Sequence, residues 1–111
     1  MLESPLKPIE TAAGAQFAEY FGCQMPARFT NSREEYGFAR NSVALVDKNY
    51  RAWFDLTGSD RTRYLNAVVT NNIRDLAIGQ GAVSLLLNSQ GHILAELEAY
   101  IFPDRIRIVT Y

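Results

Sequence analysis

Two glutamates and a tyrosine at alternate positions form the pattern in this sequence that is best suited to chemistry. Glu96, Glu98 and Tyr100 lie in the stretch Ile93–Phe102. In an extended strand, alternate residues share a face, so the two carboxylates would lie roughly 6–7 Å apart. Two carboxylates beside an aromatic ring can act as a general acid–base pair or bind a cation. The same pattern is typical of the solvated face of an antiparallel sheet, and the residues alone leave both interpretations open.

The other candidates for chemistry are weaker. The single histidine, His92, follows a glycine turn and is predicted to lie at the surface. The loop Gly79–Gly81 lacks the strand–turn–helix context of a nucleotide-binding loop and predicts a tight turn. Cys23 has no adjacent basic residue, which favours an inert thiol. Arg51 and Trp53 share one face of a predicted strand, where they either stack on a planar ligand or cover a helix. One histidine and one cysteine predict no metal site.

The composition excludes several classes of protein. The chain has 111 residues, of which 48% are hydrophobic and 21% charged, and this is ordinary for a globular domain rather than a disordered chain. A net charge of −1 argues against a dedicated nucleic-acid binder. No apolar run is long enough to span a bilayer, and the first residues do not have the order of a signal peptide. We therefore expect a cytoplasmic protein without a membrane or nucleic-acid partner.

The length fits one domain over residues 1–111, but the end of the sequence is unusual. Arg105–Tyr111 alternates like a strand, and the sequence stops inside it. Complete domains more often end in a polar, frayed tail. We therefore expect a single, incomplete domain, and an unpaired last strand whose open edge makes self-association plausible.

The elements that must position the glutamates are helices and an antiparallel meander. Helices are predicted from Ser4 (as N-cap) to Ala13, from Asn31 to about Arg40, and after Gly58-Ser59-Asp60, where Tyr64, Leu65, Val68 and Val69 form an apolar stripe. Strands are predicted at Gln16–Phe21, Tyr50–Thr57, Ala82–Leu87, Ile93–Phe102 and Arg105–Tyr111. The core face of the fourth strand is predicted to be Ile93, Ala95, Leu97, Ala99 and Ile101. The fold class is α+β, with helices packed on an antiparallel sheet.

The order of short segments along the whole chain resembles the N-terminal region of the glycine cleavage system T-protein family. These segments are Ser4-Pro-Leu6, Gly22-Cys-Gln-Met-Pro26, Leu45-Val-Asp47, Leu56-Thr-Gly58-Ser-Asp60, Thr70-Asn71, Leu76–Gly79, Leu85-Leu-Leu-Asn88 and Gly91-His-Ile-Leu94. The resemblance implies the leading part of an aminomethyltransferase-type folate-binding domain. It also implies that tetrahydrofolate accepts a one-carbon unit from an aminomethyl group on the lipoyl arm of a partner H-protein, and that ammonia is released.

The resemblance also assigns roles to two residues of the opening pattern. The family pattern Gly-Gly-Ile-Leu-Asp-Asp-Leu-Ile-Val-Tyr reads Gly91-His-Ile-Leu-Ala-Glu-Leu-Glu-Ala-Tyr100 here. The functional second Asp falls on Glu96, which implies a catalytic carboxylate, and the folate-contacting Tyr falls on Tyr100. The first Asp is replaced by Ala95, a Met that touches folate by Arg51, and a Tyr by Val83.

Three functions fit these residues. The first is a folate-dependent aminomethyltransferase with Glu96 acting at the folate amine. The second is a non-catalytic folate-binding protein of the iron–sulfur cluster assembly class. The third is an inactive truncated fragment of either. Because the other walls of the family's central pocket come from later segments, we expect the 111 residues alone to bind folate poorly.

Overall fold

A computed structural model describes all residues from Met1 to Tyr111, which divide into two compact units. The first unit is Met1–Tyr50 and the second is Arg51–Tyr111. The sequence predicts a single domain over residues 1–111, and the division into two compact units does not test that prediction. No helix is both long enough and apolar enough to cross a membrane.

The first unit contains a small sheet and two helices. The three strands are ordered β1-β3-β2, with β1 parallel and β2 antiparallel to β3. The elements are β1 (Leu2–Glu3), α1 (Lys7–Ala12), β2 (Gln16–Tyr20), β3 (Cys23–Arg28) and α2 (Ser32–Asn41). The strand predicted at Gln16–Phe21 is confirmed, and Gly14 follows α1 with a φ of +85°, as expected of a C-terminal stop.

The prediction for the start of the first helix is wrong. Ser4 does not cap it, and α1 begins three residues later, at Lys7. Ser4 is buried instead, where its Oγ accepts the N–H of Leu6 and donates to Asp47 Oδ2 at 2.5 Å. A serine oxygen that bonds two residues ahead forms a turn in place of a helix cap. By contrast, Asn31 caps α2 as predicted, because its Oδ1 accepts the N–H of Glu34 at 3.0 Å.

The second unit is a four-stranded antiparallel sheet with one helix. The strands are ordered β4-β7-β6-β5, and β5, β6 and β7 form the predicted meander. The elements are β4 (Ala52–Leu56), α3 (Arg61–Val68), β5 (Gly81–Leu87), β6 (Ile93–Ile101) and β7 (Ile106–Thr110). The α+β class is confirmed.

The core of the second unit lies on one face of this sheet. Leu65 of α3 and the loop residue Ile73 pack against strand side chains there, and the buried strand members are Leu97, Ala99, Ile106 and Ile108. Because these residues alternate along β6 and β7, the intervening residues are turned to the opposite face. Tyr64, predicted in the apolar stripe of α3, is exposed.

Two predictions about the sheet are wrong. Ile93 is 63% exposed rather than packed in the core. A register shift between Leu86 and Leu87 places an extra residue in β6, and such a bulge reverses the alternation beyond it. In addition, the last strand is not an open edge, because β7 pairs with β4 on one side and β6 on the other. The edges are β4 and β5.

Candidate functional site

The two predicted site residues lie on the face of β6 that does not carry the core. Glu96 pairs with Leu85 of β5, and Tyr100 pairs with Gly81 of β5 and Arg107 of β7. Both side chains are exposed, while Leu97 between them is buried. We call this surface the polar face and define it by two rows across the sheet, Trp53–Val109–Glu98–Val83 and Asp55–Arg107–Tyr100–Gly81, together with Glu96 and Leu85.

The Glu96 carboxylate makes no hydrogen bond or salt bridge within the chain. The backbone of the same residue is anchored, since its carbonyl accepts a hydrogen bond from Thr110 Oγ1 at 2.7 Å. A fixed backbone with an exposed carboxylate leaves both oxygens available to a ligand. A carboxylate in this position can accept or return a proton if a ligand binds beside it.

Glu98 does not form a second available carboxylate beside Glu96. Its Oε1 lies 2.8 Å from Arg51 Nη1, and its Oε2 accepts a hydrogen bond from Tyr100 Oη at 2.5 Å. The two carboxylates therefore do not act as an equivalent acid–base pair, because Glu96 is accessible to a ligand whereas Glu98 is held by Arg51 and Tyr100.

The contacts of Glu98 raise the pKa of both partners, Tyr100 and Arg51. The pKa of Tyr100 is raised above its usual value, first because the hydroxyl donates to Glu98 and then because it is partly desolvated. The hydrogen bond to Glu98 also raises the pKa of Arg51, against the opposing effect of burial. Tyr100 is therefore a hydrogen-bond donor near neutral pH and does not serve as a phenolate base.

The ring of Tyr100 lies directly on Gly81, a contact that the sequence did not reveal. A Cβ at Gly81 would lie 2.7 Å from Tyr100 Cδ1 and 2.9 Å from Cε1. The sequence predicted only a tight turn at Gly79–Gly81, and Gly79 does adopt a φ of +87° there. Gly81 has a second role, because the missing side chain provides room for the ring. Only the strand register reveals this, since the two residues are 19 positions apart.

On the polar face, β7, an inner strand, carries an arginine close to two aromatic rings. Arg107 forms two hydrogen bonds to Asp55, at 2.8 and 2.9 Å, and its Cζ lies 5.4 Å from the centre of the Trp53 ring and 5.7 Å from that of Phe102. Within this unit neither Arg51 nor Trp53 covers α3, which packs on the other face, and stacking on a planar ligand stays a prediction. Arg51 instead pairs with Glu98, and the Trp53 ring is exposed.

The remaining candidates are not among the residues that define the polar face. His92 is exposed, and its backbone N–H closes the hairpin turn on Asn88 Oδ1. Cys23 is buried in the first unit. No group of three or more His, Cys, Asp or Glu side chains is placed to hold a metal ion. A mainly apolar groove of about 550 Å³ lies in the first unit, lined by α2 and residues 26–30 and 43–47.

Comparison with known proteins gives consistent results. The model of the family described as "GCVT N-terminal domain" matches residues 6–110. An aminomethyltransferase of Bordetella petrii is 32% identical over 109 residues, with 96% of this chain and 30% of that protein covered. An aminomethyltransferase of Pseudothermotoga lettingae is 28% identical over 105 residues, with 95% and 29% covered. This chain therefore spans about 30% of the length of the curated relatives it matches.

A solved structure shows the same fold. The crystal structure of glycine cleavage system aminomethyltransferase T from Bartonella henselae superimposes with a TM-score of 0.72 at 23% sequence identity. The match covers 97% of this chain and 30% of that chain. The described helices and sheets are thus those of the corresponding region of that protein.

Proposed function

The chain belongs to the GCVT N-terminal domain family, and on this basis we propose that it supplies the polar face of a folate-dependent aminomethyltransferase of the glycine cleavage T-protein type. The observation that carries this proposal is the open Glu96 carboxylate on the same strand face as Tyr100. The family resemblance further suggests an H-protein with a lipoyl arm as the donor partner. A cytoplasmic location remains the prediction drawn from the sequence.

The residues of the polar face fit an extended, flat ligand such as tetrahydrofolate. Glu96 and Tyr100 are four residues apart on one strand, or about 13 Å. A molecule that contacts both must itself extend over that distance, as a fused ring system joined to an aminobenzoyl group does. Tyr100 offers an exposed aromatic surface, and Val83 on the neighbouring strand is also exposed. Flat rings stack on such surfaces, and the polar edge of the ligand is left for Glu96.

Each residue then has a distinct task. Tetrahydrofolate, when bound, supplies the amine that takes up the one-carbon unit. Glu96 positions that amine and accepts or returns a proton through its free carboxylate oxygens. Tyr100 holds the ligand by its ring, because its hydroxyl is already engaged with Glu98. Hydrophobic contact with the ring and proton handling by the carboxylate are thus separate, and different substitutions test them.

The proposal is tested by calorimetric titration of the chain with tetrahydrofolate. We expect weak binding by the wild type, loss of about tenfold in affinity in Tyr100→Ala from the removed aromatic contact, and a smaller loss in Glu96→Gln. Glu19→Gln is the matched control, since Glu19 is also an exposed strand glutamate but lies in the first unit. Absence of any heat of binding at millimolar tetrahydrofolate would contradict the proposal. Equal affinity in all four proteins would show that folate binds elsewhere.

A further inference from the structure

Arg51 lies two positions before Trp53 and is largely shielded from solvent although it carries a full charge. Its side chain is only 10% exposed, and the guanidinium Cζ lies 4.9 Å from the centre of the Tyr111 ring. Its Nε–H is buried and has no hydrogen-bond partner. Burial of a cation is costly unless another group compensates for it. Here the Glu98 carboxylate and the face of the Tyr111 ring provide that compensation.

The contacts of Glu98 link Arg51 to Tyr100. The salt bridge joins Oε1 to Arg51 Nη1, while Oε2 accepts the hydroxyl of Tyr100. Glu98 is 28% exposed, so without Arg51 its carboxylate could turn toward solvent and take a rotamer that does not reach Tyr100. Glu98 and Tyr100 belong to β6, and Arg51 directly precedes β4, which is not a neighbour of β6 in the sheet.

We propose that Arg51 is a positioning residue that holds the Glu98 carboxylate against the hydroxyl of Tyr100, and so fixes the tyrosine ring on the polar face. The role of that ring toward folate rests on the proposed function. The link from Arg51 through Glu98 to Tyr100 stands on the geometry alone. The position of the Tyr100 ring is restricted by its contact with Gly81 on the neighbouring strand and by the hydrogen bond from its hydroxyl to Glu98. Arg51 thus acts on the ligand through Tyr100 without needing to touch it.

The direction in which Arg51→Met changes the pKa of Tyr100 separates a positioning role of Arg51 from a purely electrostatic one. The positive charge of Arg51 by itself lowers the pKa of Tyr100, whereas the Glu98 hydrogen bond raises it. If Arg51 holds Glu98 in place, Arg51→Met releases the carboxylate, and the pKa of Tyr100 falls toward its usual value. If Glu98 stays bound without Arg51, loss of the cation raises the pKa of Tyr100 instead.

The experiment is an NMR titration of the full chain labelled with ¹³C at the tyrosine ring. Tyr100 is identified among the six tyrosines by the signal missing in Tyr100→Phe. We expect a lowered Tyr100 pKa in Arg51→Met and a smaller change in Arg51→Lys, which keeps the charge. Arg63→Met is the matched control and should leave the titration unchanged, because Arg63 is an exposed arginine paired with Asp60. An unchanged or raised pKa in Arg51→Met overturns the inference.

A binding cycle then connects the positioning role to the ligand. Arg51→Leu, which avoids the Met that the family resemblance places at this position as a folate contact, should weaken tetrahydrofolate binding about fivefold, the effect of one orienting hydrogen bond. In a Tyr100→Phe background the same change should have no further effect, because the hydroxyl that Glu98 orients is gone. An equal loss in both backgrounds overturns the positioning role. If the wild type does not bind tetrahydrofolate, the proposed function fails, while the NMR titration still decides the role of Arg51.

Discussion

The contact between Gly81 and the Tyr100 ring predicts that the smallest possible side chain at position 81 disturbs the polar face. Non-bonded carbons approach to about 3.5–4.0 Å. The added methyl of Gly81→Ala would lie 2.7 Å from Tyr100 Cδ1 and 3.0 Å from the Ala99 carbonyl oxygen. The ring must therefore withdraw by about 0.8 Å or more. Such overpacking costs about 1–3 kcal/mol.

The sign of the stability change makes this test decisive. Where no clash occurs, Gly→Ala stabilises a protein by about 0.4–1 kcal/mol, since it restricts the unfolded chain. Gly37→Ala is the matched control: a Cβ there meets no atom within 4 Å, and the residue lies inside α2, where alanine is favoured. We expect Gly81→Ala to lower and Gly37→Ala to raise the free energy of unfolding in urea, followed by circular dichroism.

Displacement of the ring should also affect the ligand. Because the ring would no longer lie where the ligand stacks on it, we expect Gly81→Ala to weaken tetrahydrofolate binding about tenfold, as loss of the aromatic contact does. In a Tyr100→Ala background, Gly81→Ala should lose most of its destabilising effect, because the ring is no longer there to be displaced. A stabilised Gly81→Ala protein with unchanged folate affinity would refute the reasoning.

Three further predictions concern the elements that support the site. Ile106→Ala, at a position that is 1% exposed, should lower the free energy of unfolding by about 2–5 kcal/mol, whereas Ile93→Ala at the exposed bulge should change it by less than about 1 kcal/mol; urea denaturation followed by tryptophan fluorescence measures both. Asn31→Ala should destabilise α2 by about 1 kcal/mol, seen as faster amide exchange in its first turn. Hydrogen bonds from Arg107 hold the pKa of Asp55 below its usual value. The resulting stability is present above the usual pKa and is lost as pH falls through the lowered one, so the decline in urea midpoint on acidification should be shallower in Asp55→Asn.

Local sequence patterns are enough to predict most of the helices and strands and the face on which the site residues lie. The period-two alternation of Ile93–Phe102 placed Glu96, Glu98 and Tyr100 on one side because a strand turns every second residue to the same face. The capping signal at Asn31 and the hairpin at Asn88–Gly91 were also local, and the structure has both. Patterns of this kind depend on a few neighbouring residues, which are visible in any sequence.

Contacts between distant segments determine which groups on that face are available to a ligand. Glu96 and Glu98 occupy equivalent alternate positions of β6, but Glu98 is held by Arg51, which is 47 positions away and directly before β4. The contact of Gly81 with Tyr100 and the inner position of β7 likewise depend on pairing between distant segments. The sequence predicts that Ser4 caps a helix, because local patterns do not show that its hydroxyl bonds to Asp47, far along the chain. Register and long-range packing set these contacts, and the alternation along a single strand carries no information about the neighbouring strand.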